Sequence, residues 1–316
     1  MITRLVKLIH RFKSVLSYLL YIFAIIYIVY FIINLHLNSY NFHFSILPEI
    51  FSLVLNILAF VCASLSWFVL LKSGNKNTKL LAAMKSYYYS QIARYIPGNI
   101  WSFLFRYKLS ENENTTKSKI TFFLLVENVN LIGISVLLSL FFILFYNKVY
   151  SKYIYIYYTL PVFFLLFLIF YKKVLIFIDK ISRGKIAYFE IKYKYIILSF
   201  IFFILYWLFF SYSFVFSAYA FGVNGNQTFL LLLNPFAWLI GYISFLTPSG
   251  LGIRESVMAF YLKNIIGLQT SVLIATNSRI IFIVSEAIVV LLFEINRIYK
   301  IYIIKHNNWK NRDIKN

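Results

Sequence analysis

Residues 245–256 read FLTPSGLGIRES. They follow the apolar run LLLLNPFAWLIGYIS, yet hold one proline, two glycines and the adjacent Arg254 and Glu255. A proline inside a helix removes a backbone hydrogen bond and clashes with the preceding turn. In hydrocarbon the freed groups have no water to turn to, so such backbone persists only buried in protein or lining a wet cavity. The stretch therefore reads as a break within a helical bundle, ending one half-helix and starting another. The new helix start presents unpaired N–H groups and a positive dipole end, which suit a phosphate or carboxylate.

The rest of the chain supports a membrane setting. It has 316 residues, is 61% hydrophobic and only 13% charged, against about 25% charged in an average soluble protein. Mean hydropathy is +0.78. Several stretches reach the roughly 20 apolar residues that span a bilayer core. The net charge of +21 comes mostly from Lys and Arg in loops and tails. That placement reads as membrane orientation and attraction to anionic lipid heads, not as nucleic-acid binding. The one cysteine, Cys62, allows no internal disulfide. The four histidines, His10, His36, His43 and His306, have no ligand spacing. No metal site and no cofactor are expected.

Six spans are read at 14–35, 49–71, 120–146, 153–171 (with Pro161), 195–221 and 271–295. Two further segments are interrupted: 80–107 by Pro97-Gly98, and 228–262 by residues Pro248 to Gly252. One arrangement places the five basic segments, Arg106 among them, in the cytoplasm. Segment 80–107 then enters from the cytoplasm and returns, segment 228–262 enters from outside and returns, and both termini are cytoplasmic. In a rival arrangement 229–246 crosses fully and the segment after Gly250 crosses back. Periodicity does not separate the two. The first arrangement gives one integral membrane domain, 1–316, with halves of about 14–146 and 153–298 in inverted repeat, and basic tails 1–13 and 299–316. The fold class expected is an all-α polytopic membrane protein of about six to eight transmembrane helices with two broken, re-entrant segments. Short apolar segments interrupted by Gly or Pro at matched places in two halves point to a transporter-type site.

Charges at membrane depth are rare, usually paired, and functional by default. The candidates are Arg94, Glu127, Arg254, Glu255, Arg279 and Glu286. Arg254 and Glu255 are neighbours and point apart on a helix. The expected partners are Glu255 with Arg279, and Arg254 or Arg94 with Glu127. Arginine suits bidentate phosphate recognition. The breaks also fit a turn that only closes the fold, and the charges a network that only fixes helix packing. Tyr87, Tyr88, Tyr89, Tyr95, Trp101 and Tyr242 fit interfacial belt and core better than a head-group pocket. There is no GxxxxGK[ST] loop of an ATP-driven pump.

With these residues in hand, the chain resembles the flippase-like lysylphosphatidylglycerol synthase transmembrane-region family. That family's Tyr-Leu-Pro-Gly-Lys-x-Trp-like motif is matched by Tyr95-Ile-Pro-Gly-Asn-Ile-Trp101. Its Pro-Gly-Gly-Leu-Gly-x-Arg-Glu-like motif is matched by Pro248-Ser-Gly-Leu-Gly-Ile-Arg-Glu255. Glu127 and Arg279 match a glutamate and a late arginine. Asn99 and Ser249 depart from the pattern. The two broken helices and the buried charges, with Arg94, Pro97, Gly98, Trp101, Glu127, Pro248, Gly250, Gly252, Arg254, Glu255 and Arg279, are expected to form a lipid head-group path.

The resemblance also implies lipid handling in the cell membrane, with an anionic phospholipid or lipid-linked glycan as partner. The family's aminoacyl-transferase domain has no counterpart here, so synthesis of the aminoacylated lipid is not expected. The leading expectation is a flippase-like protein that translocates a polar-headed lipid and is not an enzyme. The alternatives are a membrane glycosyltransferase using a polyprenyl-phosphate lipid, with Glu127 or Glu255 as base, and a non-catalytic partner of envelope-synthesis enzymes. No nucleotide-sugar site supports the first alternative.

Overall fold

The computed structural model describes residues 44–95, 101–111, 116–146, 191–244 and 247–313, with a few isolated positions between 173 and 189. The expected spans 14–35 and 153–171, the tail 1–13, and Pro97 and Gly98 lie outside the described residues. The described residues form eight α-helices and no strand. They are α1 (Ile46–Gly74), α2 (Leu80–Ile92), α3 (Trp101–Glu111), α4 (Lys117–Tyr146), α5 (Tyr193–Ala220), α6 (Gln227–Ile243), α7 (Ile253–Ile266) and α8 (Leu268–Asp313). Tight 3-10 turns at Ala93–Tyr95 and Pro248–Gly250 mark the two breaks. The chain is an all-α polytopic membrane protein.

Helices α1, α4 and α5 are long and apolar enough to cross a membrane. Helix α1 runs antiparallel to α5 through small polar contacts. Ser66 and Ser199 hydroxyls lie 2.7 Å apart, Ser52 Oγ donates to the Ser213 carbonyl at 2.8 Å, and the Ser45 N–H donates to Ala220 O at 2.8 Å. Small residues let two backbones approach where no hydrophobic drive separates helix from lipid. Asn277 of α8 donates to Glu49 Oε1 of α1 and to Ser217 Oγ of α5, which places the start of α8 at that same end. The opposite end carries Lys72, Lys79, Lys108, Lys119, Lys192 and Lys194 at the ends of α1, α2, α3, α4 and α5. One end of the bundle is thus strongly basic.

The interrupted segments are hairpins. Helices α2 and α3 fold back on each other at the basic end, with Arg106 Nε on Ser90 Oγ at 2.9 Å and Ser110 Oγ on Ser86 Oγ at 3.2 Å. Trp67 Nε1 on Ser86 Oγ at 3.1 Å and the Ser64–Tyr88 hydroxyl contact at 2.8 Å hold α2 against α1. Helices α6 and α7 fold back at the other end. With 17 and 14 residues, they reach about 25 and 21 Å at 1.5 Å per residue, short of a bilayer core of about 30 Å. These lengths fit returning segments better than full crossings. The hairpin packs on α4, where Phe142 stacks on Phe236 at 4.7 Å and Ser135 Oγ donates to Pro235 O at 3.1 Å.

Helix α8 departs from expectation. The last span was read as 271–295 and the following residues as a tail, but the helix continues to Asp313. No Gly or Pro follows Gly267 to stop it. Gly267 itself, at φ +78°, ends α7 and lets the chain turn into α8.

The second hairpin closes on a contact between two backbones. A Cβ at Gly250 (φ +67°) would lie 3.0 Å from the Gly241 backbone, whereas one at Gly252 (φ +81°) would meet nothing within 4 Å. Gly252→Ala is expected to cost only the backbone term of about 1–3 kcal/mol. Gly250→Ala adds overpacking of about 1–3 kcal/mol. Unfolding of both variants in mixed detergent micelles measures this difference, and equal losses would contradict the closure described.

Candidate functional site

The two hairpin tips meet in the middle of the bundle, where the Ala93–Tyr95 turn lies against the Pro248–Gly250 turn. Beside them is a cavity of about 180 Å³. Four arginines line it: Arg94 from the first break, Arg106 from α3, Arg254 from α7 and Arg279 from α8. Glu127 of α4 lines it too, with Tyr87, Tyr206, Trp238, Tyr242 and Phe282 as an aromatic wall. The faces of such rings attract guanidinium groups.

Each arginine is placed by a different device. Arg106 follows Ser102 on one stripe of α3, a spacing that keeps both on the inner face. Its Nη1 donates to both carboxylate oxygens of Glu127, and its guanidinium lies 4.3 Å from the centre of the Tyr87 ring. Arg94 pairs with Glu286 at 3.3 Å, and Tyr95 Oη donates to the same carboxylate at 2.5 Å. A residue of the first break therefore grips α8. Arg279 reaches across to the second break, with Nη1 on the Ser249 carbonyl at 3.3 Å and Nε 3.9 Å from Glu255 Oε1. The other oxygen of Glu255 accepts the Gly252 N–H at 2.7 Å and so caps α7.

Arg254 differs from the other three. It is 3% exposed. Its Nη2 donates to Asn234 Oδ1 at 3.0 Å, and Asn234 Nδ2 in turn holds the Phe210 carbonyl at 2.8 Å. The rings of Phe210 and Phe282 lie 5.0 and 5.7 Å from its guanidinium carbon. Among the described residues no carboxylate lies in ion-pair range of Arg254, and its Nε and Nη1 are buried without a hydrogen-bond partner. A buried donor left unsatisfied is costly, and a charged one more so. Arg279 Nε and Nη2 are also buried without a hydrogen-bond partner, but Nε has Glu255 in ion-pair range.

The sequence-derived candidates divide accordingly. Arg94, Glu127, Gly250, Arg254 and Arg279 line the cavity. Glu255 stands behind it as the partner of Arg279 and cap of α7. Gly252 is the N-cap of α7 and does not line the cavity, and Pro248 opens the tight turn. Trp101 does not line it either: it begins α3 and is 42% exposed. Tyr87 and Tyr242, read as belt and core, are in the wall.

Two pairings differ from expectation. Glu127 takes Arg106, not Arg94 or Arg254, and Arg94 takes Glu286. Arg106, counted as a loop charge, is 6% exposed. The returning limb of the first hairpin carries it back into the bundle, and Ser90 and Glu127 are the partners that make burial tolerable. Asn234 and Gln91, also near the arginines, were not singled out. The polar Asn-Pro interruption of an apolar helix was the available signal for Asn234.

Comparison with protein families gives a clear result. A model of the lysylphosphatidylglycerol synthase TM region matches residues 5–289. The chain belongs to that family. It is an integral membrane protein of a lipid-handling family. No curated protein and no solved structure matches the chain. Within the family's matched region, both breaks and all four cavity arginines fall between residues 94 and 279.

The Arg106–Glu127 pair supplies a test of the charge network. Breaking a buried pair from one side costs about 3–5 kcal/mol, whereas replacing both partners with apolar residues is far milder. Arg106→Met is expected to lose stability in that range, and Arg106→Met with Glu127→Leu to recover most of it. Unfolding in mixed micelles measures both, and a loss below about 1 kcal/mol in the single variant would show the pair to be hydrated.

Proposed function

We propose that this protein moves a polar-headed lipid, a phospholipid or a lipid-linked glycan, between the leaflets of the cell membrane. The cavity between the hairpin tips is the station for the head group. The observation that carries the reading is Arg254, a buried arginine lining that cavity with two donor atoms, Nε and Nη1, unpartnered. A phosphate entering the cavity would supply the charged partner that this guanidinium lacks. The helix breaks end beside it and need a site buried in protein or wet, and a head group entering the cavity supplies polar contacts there. The apolar tails would remain in lipid outside the bundle.

In this reading the basic end of the bundle faces the cytoplasm, as Lys and Arg excess sets orientation. Both termini are then cytoplasmic. The halves 14–146 and 153–298 form an inverted repeat in one domain, each contributing one hairpin, one from each end of the bundle. Two hairpins that meet tip to tip give a natural pair of gates: parting one tip from α8 opens the cavity toward one leaflet. The contacts to be broken are Arg94 and Tyr95 with Glu286 for the first hairpin, and Arg279 with Ser249 for the second.

An enzyme using Glu127 or Glu255 as base has less support. Both oxygens of Glu127 accept from Arg106, and Glu255 caps α7. A general base needs a carboxylate free to reach a substrate proton.

The test is movement of a fluorescent lipid in reconstituted liposomes, with anionic phospholipids and glycan-linked lipids as cargo. The protein is expected to move at least one of them faster than empty liposomes do, without covalent change. Arg254→Gln is expected to slow it at least tenfold, since losing a charged hydrogen-bond donor is worth about 1.5–3 kcal/mol. No acceleration over empty liposomes for any of these lipids would refute the reading.

A further inference from the structure

The charges of the cavity can be counted, and the count selects among head groups. The buried set contains Arg94, Arg106, Arg254 and Arg279 against Glu127, Glu255 and Glu286. Each glutamate faces one arginine, and Arg254 is left over. This is the count among the described residues. Residues 14–35 and 153–171 contain no Asp, Glu, Lys or Arg, and neither do 96–100 or 245–246.

Each of the three carboxylates already faces an arginine. Glu127, the one that lines the cavity, has both oxygens on Arg106. Glu286 is held by Arg94 and Tyr95, and Glu255 by the Gly252 N–H with Arg279 beyond. A positively charged head group would add to a described set in which arginines already outnumber glutamates. A head group with two negative charges would neutralise Arg254 and leave one charge uncompensated at membrane depth, which is costly. A single negative charge balances the set.

Resting on the head-group reading of the cavity, we infer that its ligand is a lipid phosphodiester carrying one negative charge and an uncharged, hydroxyl-bearing head, and that aminoacylated lipids are disfavoured. The phosphate pairs with the Arg254 guanidinium. Gln91, Ser102 and Asn128 line the same cavity and offer polar groups for hydroxyls of a glycerol or sugar. The selectivity is set by repulsion: the amine of a lysyl ester meets the surplus of arginines.

The experiment uses the purified full-length protein in detergent, with short-chain phosphatidylglycerol, its lysyl ester, phosphatidylethanolamine and phosphatidic acid as probes. Binding is read by thermal shift and by isothermal titration. Phosphatidylglycerol is expected to bind at least tenfold more tightly than its lysyl ester and than phosphatidylethanolamine, and more tightly than phosphatidic acid. Arg254→Gln should weaken phosphatidylglycerol at least tenfold. Gln91→Glu adds an unpaired carboxylate to the cavity wall and should abolish the discrimination against the lysyl ester while the protein remains folded. A lysyl ester that binds as well as phosphatidylglycerol, with both weakened by Arg254→Gln, overturns the selectivity and leaves the head-group site standing. If no probe loses affinity in a folded Arg254→Gln protein, the head-group site itself fails, and the selectivity with it. Arg254→Lys keeps the charge without the planar fork, so it should bind more weakly yet preserve the ranking.

Discussion

At membrane depth a peptide group released from a helix has no water to bond, so a broken helix must be enclosed by other protein or by a wet cavity. This constraint organises the molecule. Two segments are broken, by Pro97-Gly98 and by the run from Pro248 to Gly252. Each folds into a hairpin, and the two hairpins come from opposite ends of a bundle whose long helices are α1, α4, α5 and α8. Their tips touch in its interior. Because the tips are buried, so are the charged residues next to them, Arg94 at one and Arg254 and Glu255 at the other.

Burying charge brings a second requirement, that each charge find a partner. Most do. Arg94, Arg106 and Arg279 each reach a glutamate on another element, and these pairs tie the first hairpin to α4 and α8 and the second to α8. Packing around them is aromatic: Phe282 faces three of the arginines, Arg94, Arg254 and Arg279. The exception is Arg254, whose only described polar partner is neutral Asn234. A network serving packing alone would be cheaper with a balanced set. The imbalance is what gives the cavity its proposed affinity for a phosphate.

Much of this was legible in the sequence because it follows from local rules. The helical membrane fold follows from hydropathy, and the breaks follow from Pro and Gly in apolar runs. The separation of Arg254 from Glu255 follows from helical geometry, which sets neighbours about 100° apart. What could not be read were distances between elements. Arg106 lay inside the interrupted segment 80–107, yet charge counting assigned it to a loop, because only tertiary packing against Ser90 and Glu127 reveals its burial. Glu127 was accordingly given the wrong arginine. The length of α8 was missed because its last turns are polar, and polarity ends a span without ending a helix. Trp101 shares a motif with the first break but faces outward, since a motif fixes spacing along the chain and not the direction of each side chain.

The central claim is that Arg254 is the surplus charge of a closed set and that a lipid phosphate completes it. A cryo-electron microscopy structure of the protein in phosphatidylglycerol nanodiscs tests it most directly. The account predicts phosphate density within ion-pair distance of the Arg254 guanidinium, between the two hairpin tips. A structure in which Arg254 is paired with a carboxylate of this chain, with no lipid head in the cavity, would contradict it.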